Sequence, residues 1–120
     1  MPHPPGTRDA AFRYYPALQR VRDYVEGHLG EDISLHDAAV VARLEKKYFS
    51  AFFRRKTGIG FRCWLSQIRI QRAQEMLRER DHTITNVALA VGFRDLRTFE
   101  RAFKRDTGMT PRAFKAVVKT

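Results

Sequence analysis

Two sets of side chains in this 120-residue chain stand at the spacing of one face of a helix and carry chemistry that is easily named. Winding residues 96–107 at about 100° per residue places Arg97, Glu100, Arg101 and Lys104 on one side and Phe99, Ala102 and Phe103 on the other. Residues 46–57 wind the same way, with Lys47, Ser50, Ala51 and Arg54 outward and Phe49, Phe52, Phe53 and the stem of Lys56 inward. A guanidinium can donate two parallel hydrogen bonds to the major-groove edge of guanine, so Arg97 and Arg101 are candidate base readers. Lys47 and Arg54 bring charge, while Ser50 accepts many bases and Ala51 can touch a thymine methyl. Arg43, Lys46, Arg55, Arg94 and Arg105 flank these rows and suit phosphate contacts, which position a helix without reading sequence. A solvated charged face would explain either row alone, but not the shared register of the two.

That register comes from a repeat. Residues 49–58 read Phe-Ser-Ala-Phe-Phe-Arg-Arg-Lys-Thr-Gly, and residues 99–108 read Phe-Glu-Arg-Ala-Phe-Lys-Arg-Asp-Thr-Gly. Upstream, Ser34 to Ala39 aligns with Thr83 to Ala88 at an offset of 49 rather than 50. The repeated unit is a short amphipathic helix, a turn, and a basic helix ended by glycine. Two basic helix-turn-helix units in one chain imply duplex DNA as the partner.

Composition agrees. Twenty-three Lys and Arg against 13 Asp and Glu give a net charge of +10, which favours a polyanion. Apolar residues make up 43% of the chain, with nine Phe, so the charge decorates a folded core. The single cysteine, Cys63, excludes an internal disulfide, fits a reducing cytoplasm, and reads as buried filler beside Trp64. The longest apolar runs, Ala38–Ala42 and Val87–Val91, are too short to span a membrane, and the Pro-rich start lacks the apolar core of a signal peptide. His3, His28, His36 and His82 have neither the i, i+4 pairing nor the cysteine partners of a zinc site. No nucleophile elbow or phosphate-binding glycine loop is present either, so no catalytic residue, metal or cofactor is expected. RNA modules present aromatics for stacking, whereas the aromatics here stand at core spacing.

The elements that would position the two rows are all helical. Leu18, Val21, Val25 and Leu29 mark a first helix over about 16–29, stopped by Gly30. Ser34 with Asp37 forms a capping-box variant that starts a helix through Ala42, and Thr83 with Asn86 does the same before Val87–Val91. The basic helices span Lys46–Thr57 and Leu96–Thr107, stopped by Gly58 and Gly108. Between the units runs an amphipathic stretch from Phe61 to about Arg80, and Thr110-Pro111 opens a last helix to Val118. The expectation is an all-α fold of seven helices. A flexible tail would cover 1–14, one helix-turn-helix subdomain 15–59, a linker helix 60–81, and a second subdomain 82–120.

From about residue 16 to 118 the chain resembles the two-unit DNA-binding domain of the AraC/XylS transcriptional regulators. The most specific stretch runs Val87-Ala88, Val91-Gly92-Phe93-Arg94-Asp95, Phe99-Glu100-Arg101-Ala102-Phe103-Lys104 and Gly108-Met109-Thr110-Pro111. Trp64-Leu65, Arg69-Ile70, Ala73 and Met76-Leu77 match the family's linker, and Leu44, Tyr48-Phe49-Ser50, Phe53-Arg54 and Gly58 match its first unit. The resemblance implies recognition helices entering successive major grooves of one DNA face. Its base-facing places fall on Lys47, Ser50 and Ala51, and on Leu96, Arg97, Thr98, Glu100 and Arg101. It also implies a bacterial, nucleoid-associated transcription regulator that activates as most of the family does, with RNA polymerase as a second partner.

Three residues depart from the family pattern. Arg43 stands in the first turn in place of glycine, which implies a different or mildly strained turn. Glu45 replaces a serine cap, and Ala51 replaces a longer polar reader, so base selectivity is expected to concentrate in the second basic helix. Family members commonly carry an effector or dimerisation domain, for which there is no room ahead of Tyr15. The chain therefore reads either as a short standalone regulator, monomeric on its site, or as the DNA-binding domain of a longer one, with Met1 favouring the former.

Overall fold

The computed structural model describes residues 8–79 and 81–118. Among these residues there are eight α-helices and no strand: α1 Asp9–Tyr14, α2 Pro16–Gly27, α3 Leu35–Ala42, α4 Lys46–Thr57, α5 Phe61–Arg78, α6 Ile84–Ala90, α7 Leu96–Thr107 and α8 Pro111–Val118. The fold class expected from the sequence is therefore found, with the two basic helices bounded as the glycine stops require.

The count of seven helices needs correction, and with it the reading of residues 8–14 as tail. Residues 9–14 form α1, and Phe12 is fully buried. Its ring lies 5.3 Å from Trp64 in a stacked arrangement and 5.9 Å from Phe53 edge-on. A six-residue helix is too short to show periodicity and too short to hold itself together in water. Its stability comes from the cavity that Phe12 fills, which no local pattern announces. Residues 1–7 of the expected tail lie outside the described residues. Cys63 is a second correction, since it is exposed on α5 while its neighbour Trp64 takes the buried place.

The chain divides into two compact units between Leu65 and Ser66, inside α5. In the first unit, Leu18, Val21 and Val25 of α2, Ala38, Ala39 and Ala42 of α3, and Phe49 and Phe53 of α4 are buried, together with Phe61 and Trp64 from the start of α5. Aromatic side chains bury about 150–250 Å² each, a large share of so small a core, and Phe12, Phe49, Phe53, Phe61 and Trp64 meet here through mutual ring contacts of 5.3–6.0 Å. In the second unit Ile70, Ala73 and Leu77 of α5 join Val87, Ala88 and Val91, Phe99, Ala102 and Phe103, and Phe114 of α8.

The repeat extends further than the sequence reading carried it. At the same offset of 50, Trp64 corresponds to Phe114, and each sits on the second phenylalanine of its basic helix: Phe53–Trp64 at 5.4 Å and Phe103–Phe114 at 5.3 Å. Trp64 N–H donates to Gly60 O, and Phe114 N–H to Thr110 O, both at 2.9 Å. The start of α5 thus closes the first unit as α8 closes the second.

Candidate nucleic-acid interface

Both turns between the paired helices use one backbone solution. In the first, Leu44 N–H donates to Ala39 O at 3.0 Å and Arg43 N–H to Val40 O at 3.0 Å. In the second, Phe93 N–H donates to Ala88 O at 3.0 Å and Gly92 N–H to Leu89 O at 3.1 Å. This is the six-to-one and five-to-two pairing that ends a helix on a left-handed residue. Gly92 takes that conformation at φ 100°, and Arg43 takes it at φ 63°, ψ 40°. The first turn therefore shares the hydrogen-bond pattern of the second, with the strain of a side chain added where the second has glycine. A compensating contact comes from α2. Arg20 donates from Nε to Val41 O at 3.1 Å and from Nη2 to Ala42 O at 2.9 Å, satisfying carbonyls left open at the end of α3.

The basic helices begin on carboxylate caps. Glu45 Oε2 accepts from Tyr48 N–H at 3.0 Å, and Asp95 Oδ1 accepts from Thr98 N–H at 2.8 Å. Asp95 Oδ2 also accepts from the Thr98 hydroxyl at 3.0 Å. These hydrogen bonds hold both carboxyls below the ordinary carboxylate range; for Asp95 the Thr98 amide contributes most, then the Thr98 hydroxyl, with Arg101 and Arg97 adding to it. The capping box at α3 is complete, with Ser34 and Asp37 exchanging bonds of 3.0 Å, and Thr83 Oγ1 accepts from Asn86 N–H at 3.1 Å.

Both helices also end alike. The Thr57 hydroxyl can donate to Phe53 O at 2.7 Å or Ile59 O at 2.9 Å, and the Thr107 hydroxyl to Phe103 O at 2.8 Å or Met109 O at 3.1 Å. Gly58 at φ 85° and Gly108 at φ 80° then turn the chain away. Caps, inward phenylalanines and terminal threonines together fix the rotation of each helix about its own axis.

That rotation leaves Lys47, Ser50, Ala51 and Arg54 exposed on α4, and Leu96, Arg97, Thr98, Glu100, Arg101 and Lys104 exposed on α7. Phe49, Phe53, Phe99 and Phe103 are fully buried, as core anchors should be. Arg43, Lys46, Arg55, Arg94 and Arg105 are exposed as well. Two of these side chains carry contacts that helical spacing could not show. The Thr98 hydroxyl belongs to the cap of α7, and Arg105 reaches Ser66 Oγ on α5 at 3.1 Å and Asp106 at 3.1 Å. Leu96 is 39% exposed, which on the first turn of α7 offers an apolar contact.

Residues 38–116, well over half of the chain, match a family described as a helix-turn-helix domain. Solved AraC-type domains share the fold. The chain belongs to the AraC family of helix-turn-helix DNA-binding domains. Its backbone superposes on the DNA-binding domain of AdpA, a global transcriptional factor solved in complex with a target DNA, with a TM-score of 0.81 and 29% identity over 87% of this chain and 93% of that one. The C-terminal domain of AraT, a response regulator from Geobacillus stearothermophilus, gives 0.82 and 28% over 88% of each chain. Among curated relatives, the HTH-type transcriptional regulator YobQ of Bacillus subtilis is 34% identical over 92 residues, and the regulatory protein PocR of Salmonella typhimurium 32% over 98 residues. The chain spans 38% and 32% of those two proteins' lengths, against 77% and 82% of its own.

This AraC-type domain has the family and fold of DNA-binding transcription regulators rather than of enzymes. Among the described residues no group of three His, Cys, Asp or Glu could hold a metal ion, and no helix is long and apolar enough to cross a membrane. Sequence reasoning passed over one surface feature beside α4. Tyr48, 54% exposed, stacks on Phe52 at 6.1 Å; Phe52 meets Tyr15 at 5.4 Å, and Tyr15 meets Tyr14 at 4.8 Å. Three tyrosines and a phenylalanine thus form a ladder from α4 to the end of α1, and a helix at 9–14 was the missing piece needed to see it.

Proposed function

We propose that this chain is the DNA-contacting part of a transcriptional regulator, binding one asymmetric duplex site with α4 and α7 in two successive major grooves. The observation that carries this reading is the duplicated cap-to-glycine frame, which turns a basic row outward in each unit while burying the phenylalanines behind it. On α7, Arg97 and Arg101 read guanine, with Glu100, Thr98, Leu96 and Lys104 completing the face. On α4, Lys47 and Arg54 supply charge around Ser50 and Ala51. Arg43, Lys46, Arg55, Arg94 and Arg105 meet phosphates, with Arg105 swinging from Asp106 to do so.

Selection from random duplexes followed by footprinting of the winner tests the reading. Protection should cover roughly two helical turns, with one monomer per site, since grooves on one DNA face recur about every 34 Å. Protection of a single half-turn, or a strict need for a palindrome, would count against it. Affinity should fall steeply with salt: neutralising about six to ten phosphates gives a slope of log K on log salt near −5 to −9, and a slope shallower than about −2 would remove the basic rows from the backbone. Activation through RNA polymerase is the finer form of the proposal, supported by the family habit. A promoter with the selected site upstream, transcribed in vitro with and without the protein, distinguishes activation from repression.

A further inference from the structure

Helix α1 does more than complete a core. Arg8, just ahead of it, donates from its main-chain N–H to Thr57 O at 3.0 Å and from Nη1 to Arg55 O at 2.9 Å, so the chain before α1 caps the last turn of α4. That docking opens a surface groove of about 470 Å³, lined by Arg8, Ala10, Ala11, Tyr14, Tyr15, Arg55 and Lys56. Three of these residues are cations and none is an acid. Lys56 Nζ stands 5.1 Å from the centre of the Tyr15 ring, a cation–π contact that holds the ammonium at the groove wall. Tyr14, 77% exposed, meets the Tyr15 ring edge-to-face with centroids 4.8 Å apart.

We infer that this groove is a phosphodiester site, which takes the DNA backbone beside the major groove entered by α4. The inference rests on the DNA-binding reading and extends it to an element with no counterpart in the second unit. Charge is the first argument, since a cationic groove with no acid in its lining selects an anion. Continuity is the second. Arg55 lines the groove and also follows Arg54 of the outward row, four residues after Ala51. A helix lying in a groove about 12 Å wide is bordered by phosphates, so Arg55, roughly a quarter-turn round α4 from the outward row, meets the strand that walls it. Lys56, whose stem lies inward, joins the groove only through its ammonium over Tyr15. The tyrosines suit the sugar and phosphate oxygens, which accept from phenolic hydroxyls. The guanidinium of Arg8 has five N–H donors, and its bond to Arg55 O uses one.

The test compares the full chain with Lys56→Gln, Tyr14→Ala and the double variant on two duplexes. One is the selected site with flanking DNA; the other is trimmed by about half a helical turn at the end bound by the first unit. Arg101→Ala serves as the control for DNA binding itself, and circular dichroism confirms folding. On the long duplex the double variant should bind about three- to tenfold more weakly at 0.15 M salt, with a salt slope reduced by about 1 to 2. On the trimmed duplex it should match the parent. Equal binding of parent and double variant to the long duplex, while Arg101→Ala still weakens it, overturns the groove and leaves the DNA reading standing. Equal weakening on both duplexes overturns it too, because the effect then does not come from the flank. Should Lys56→Gln unfold the first unit, Tyr14→Ala alone decides, since its exposed ring carries no core. If neither Arg101→Ala nor Lys47→Ala affects any duplex, the DNA-binding reading fails, and this inference with it.

Discussion

The two helix-turn-helix units share a frame and differ in what they hang on it. Turn, cap, inward phenylalanines, terminal threonine and closing aromatic recur at matched positions with matched hydrogen bonds. Yet the first unit places Arg43 where the second places Gly92, and Ser50 and Ala51 where the second places Glu100 and Arg101. It also carries α1 and α2, and with them Arg20 and the groove beside Arg55. The lesson is that backbone geometry is specified by a few buried or capping residues, so the outward positions are free to diverge. On the function proposed above, the first unit grips the duplex and the second, with Arg97 and Arg101 outward, reads it.

The largest effects should come from the shared frame. Phe53→Ala and Phe103→Ala each remove a fully buried ring at equivalent places and should cost about 3–5 kcal/mol in denaturant unfolding. Phe53 touches Phe12, Phe49, Phe61 and Trp64, so its loss should sit at the upper end. A cost below about 1 kcal/mol at either place would break the equivalence of the two cores.

Next in size is the functional contrast. Arg97→Ala or Arg101→Ala should cost about 1–3 kcal/mol on the selected site and relax preference at particular base pairs. Lys47→Ala and Arg54→Ala should weaken good and poor sites more evenly, because a point charge positions without reading. Binding series on single-base variants measure both. Loss of discrimination with Lys47→Ala, combined with its retention in both α7 variants, would reverse the roles assigned to the units.

The turns offer a smaller and opposite pair. Arg43→Gly should stabilise the first unit by about 0.5–1 kcal/mol, seen as a higher unfolding midpoint, because glycine adopts φ 63° without strain. Gly92→Arg should destabilise the second by about the same amount. No gain from Arg43→Gly would mean that contacts of Arg43, or its effect on the unfolded chain, already offset the strain.

The smallest effect concerns pH. Asp37, Glu45 and Asp95 are held below their ordinary carboxylate values by cap hydrogen bonds. A carboxyl whose folded pKa is depressed stabilises the fold above its unfolded pKa, and that contribution is lost as pH falls through the folded pKa. Stability should therefore decline on acidification below the normal carboxylate range and stay flat, as far as these groups are concerned, near neutrality. Asp95→Asn should flatten that acid limb, read from thermal midpoints between pH 2 and 6; an unchanged limb would show that this cap contributes nothing through its charge.

Much of this was legible in the sequence. Helix ends at Gly58 and Gly108, the capping box at Ser34 and Asp37, and the division of each basic helix into inward rings and outward cations all depend on neighbours within a few residues. Such local chemistry is written in order along the chain, and duplication wrote it twice. The family signature in the second unit followed for the same reason. Decisions made between distant segments were not legible. Phe12 looked like part of a tail until Phe53 and Trp64 supplied its cavity, and α1 forms because that burial outweighs the poor intrinsic stability of a six-residue helix. The Cys63–Trp64 pair shows the same limit, since adjacent residues on a helix face different ways and only packing chooses which one is buried. Arg43 kept the turn expected of glycine because the closing hydrogen bonds from Leu44 and Arg43, with Arg20 arriving from α2, hold the end of α3 in place. Sequence alone determined the repeated frame and its charged faces, through contacts a few residues apart. Tertiary structure alone decided what α1 and α2 add to the first unit, because those contacts join residues some 20 to 50 positions apart.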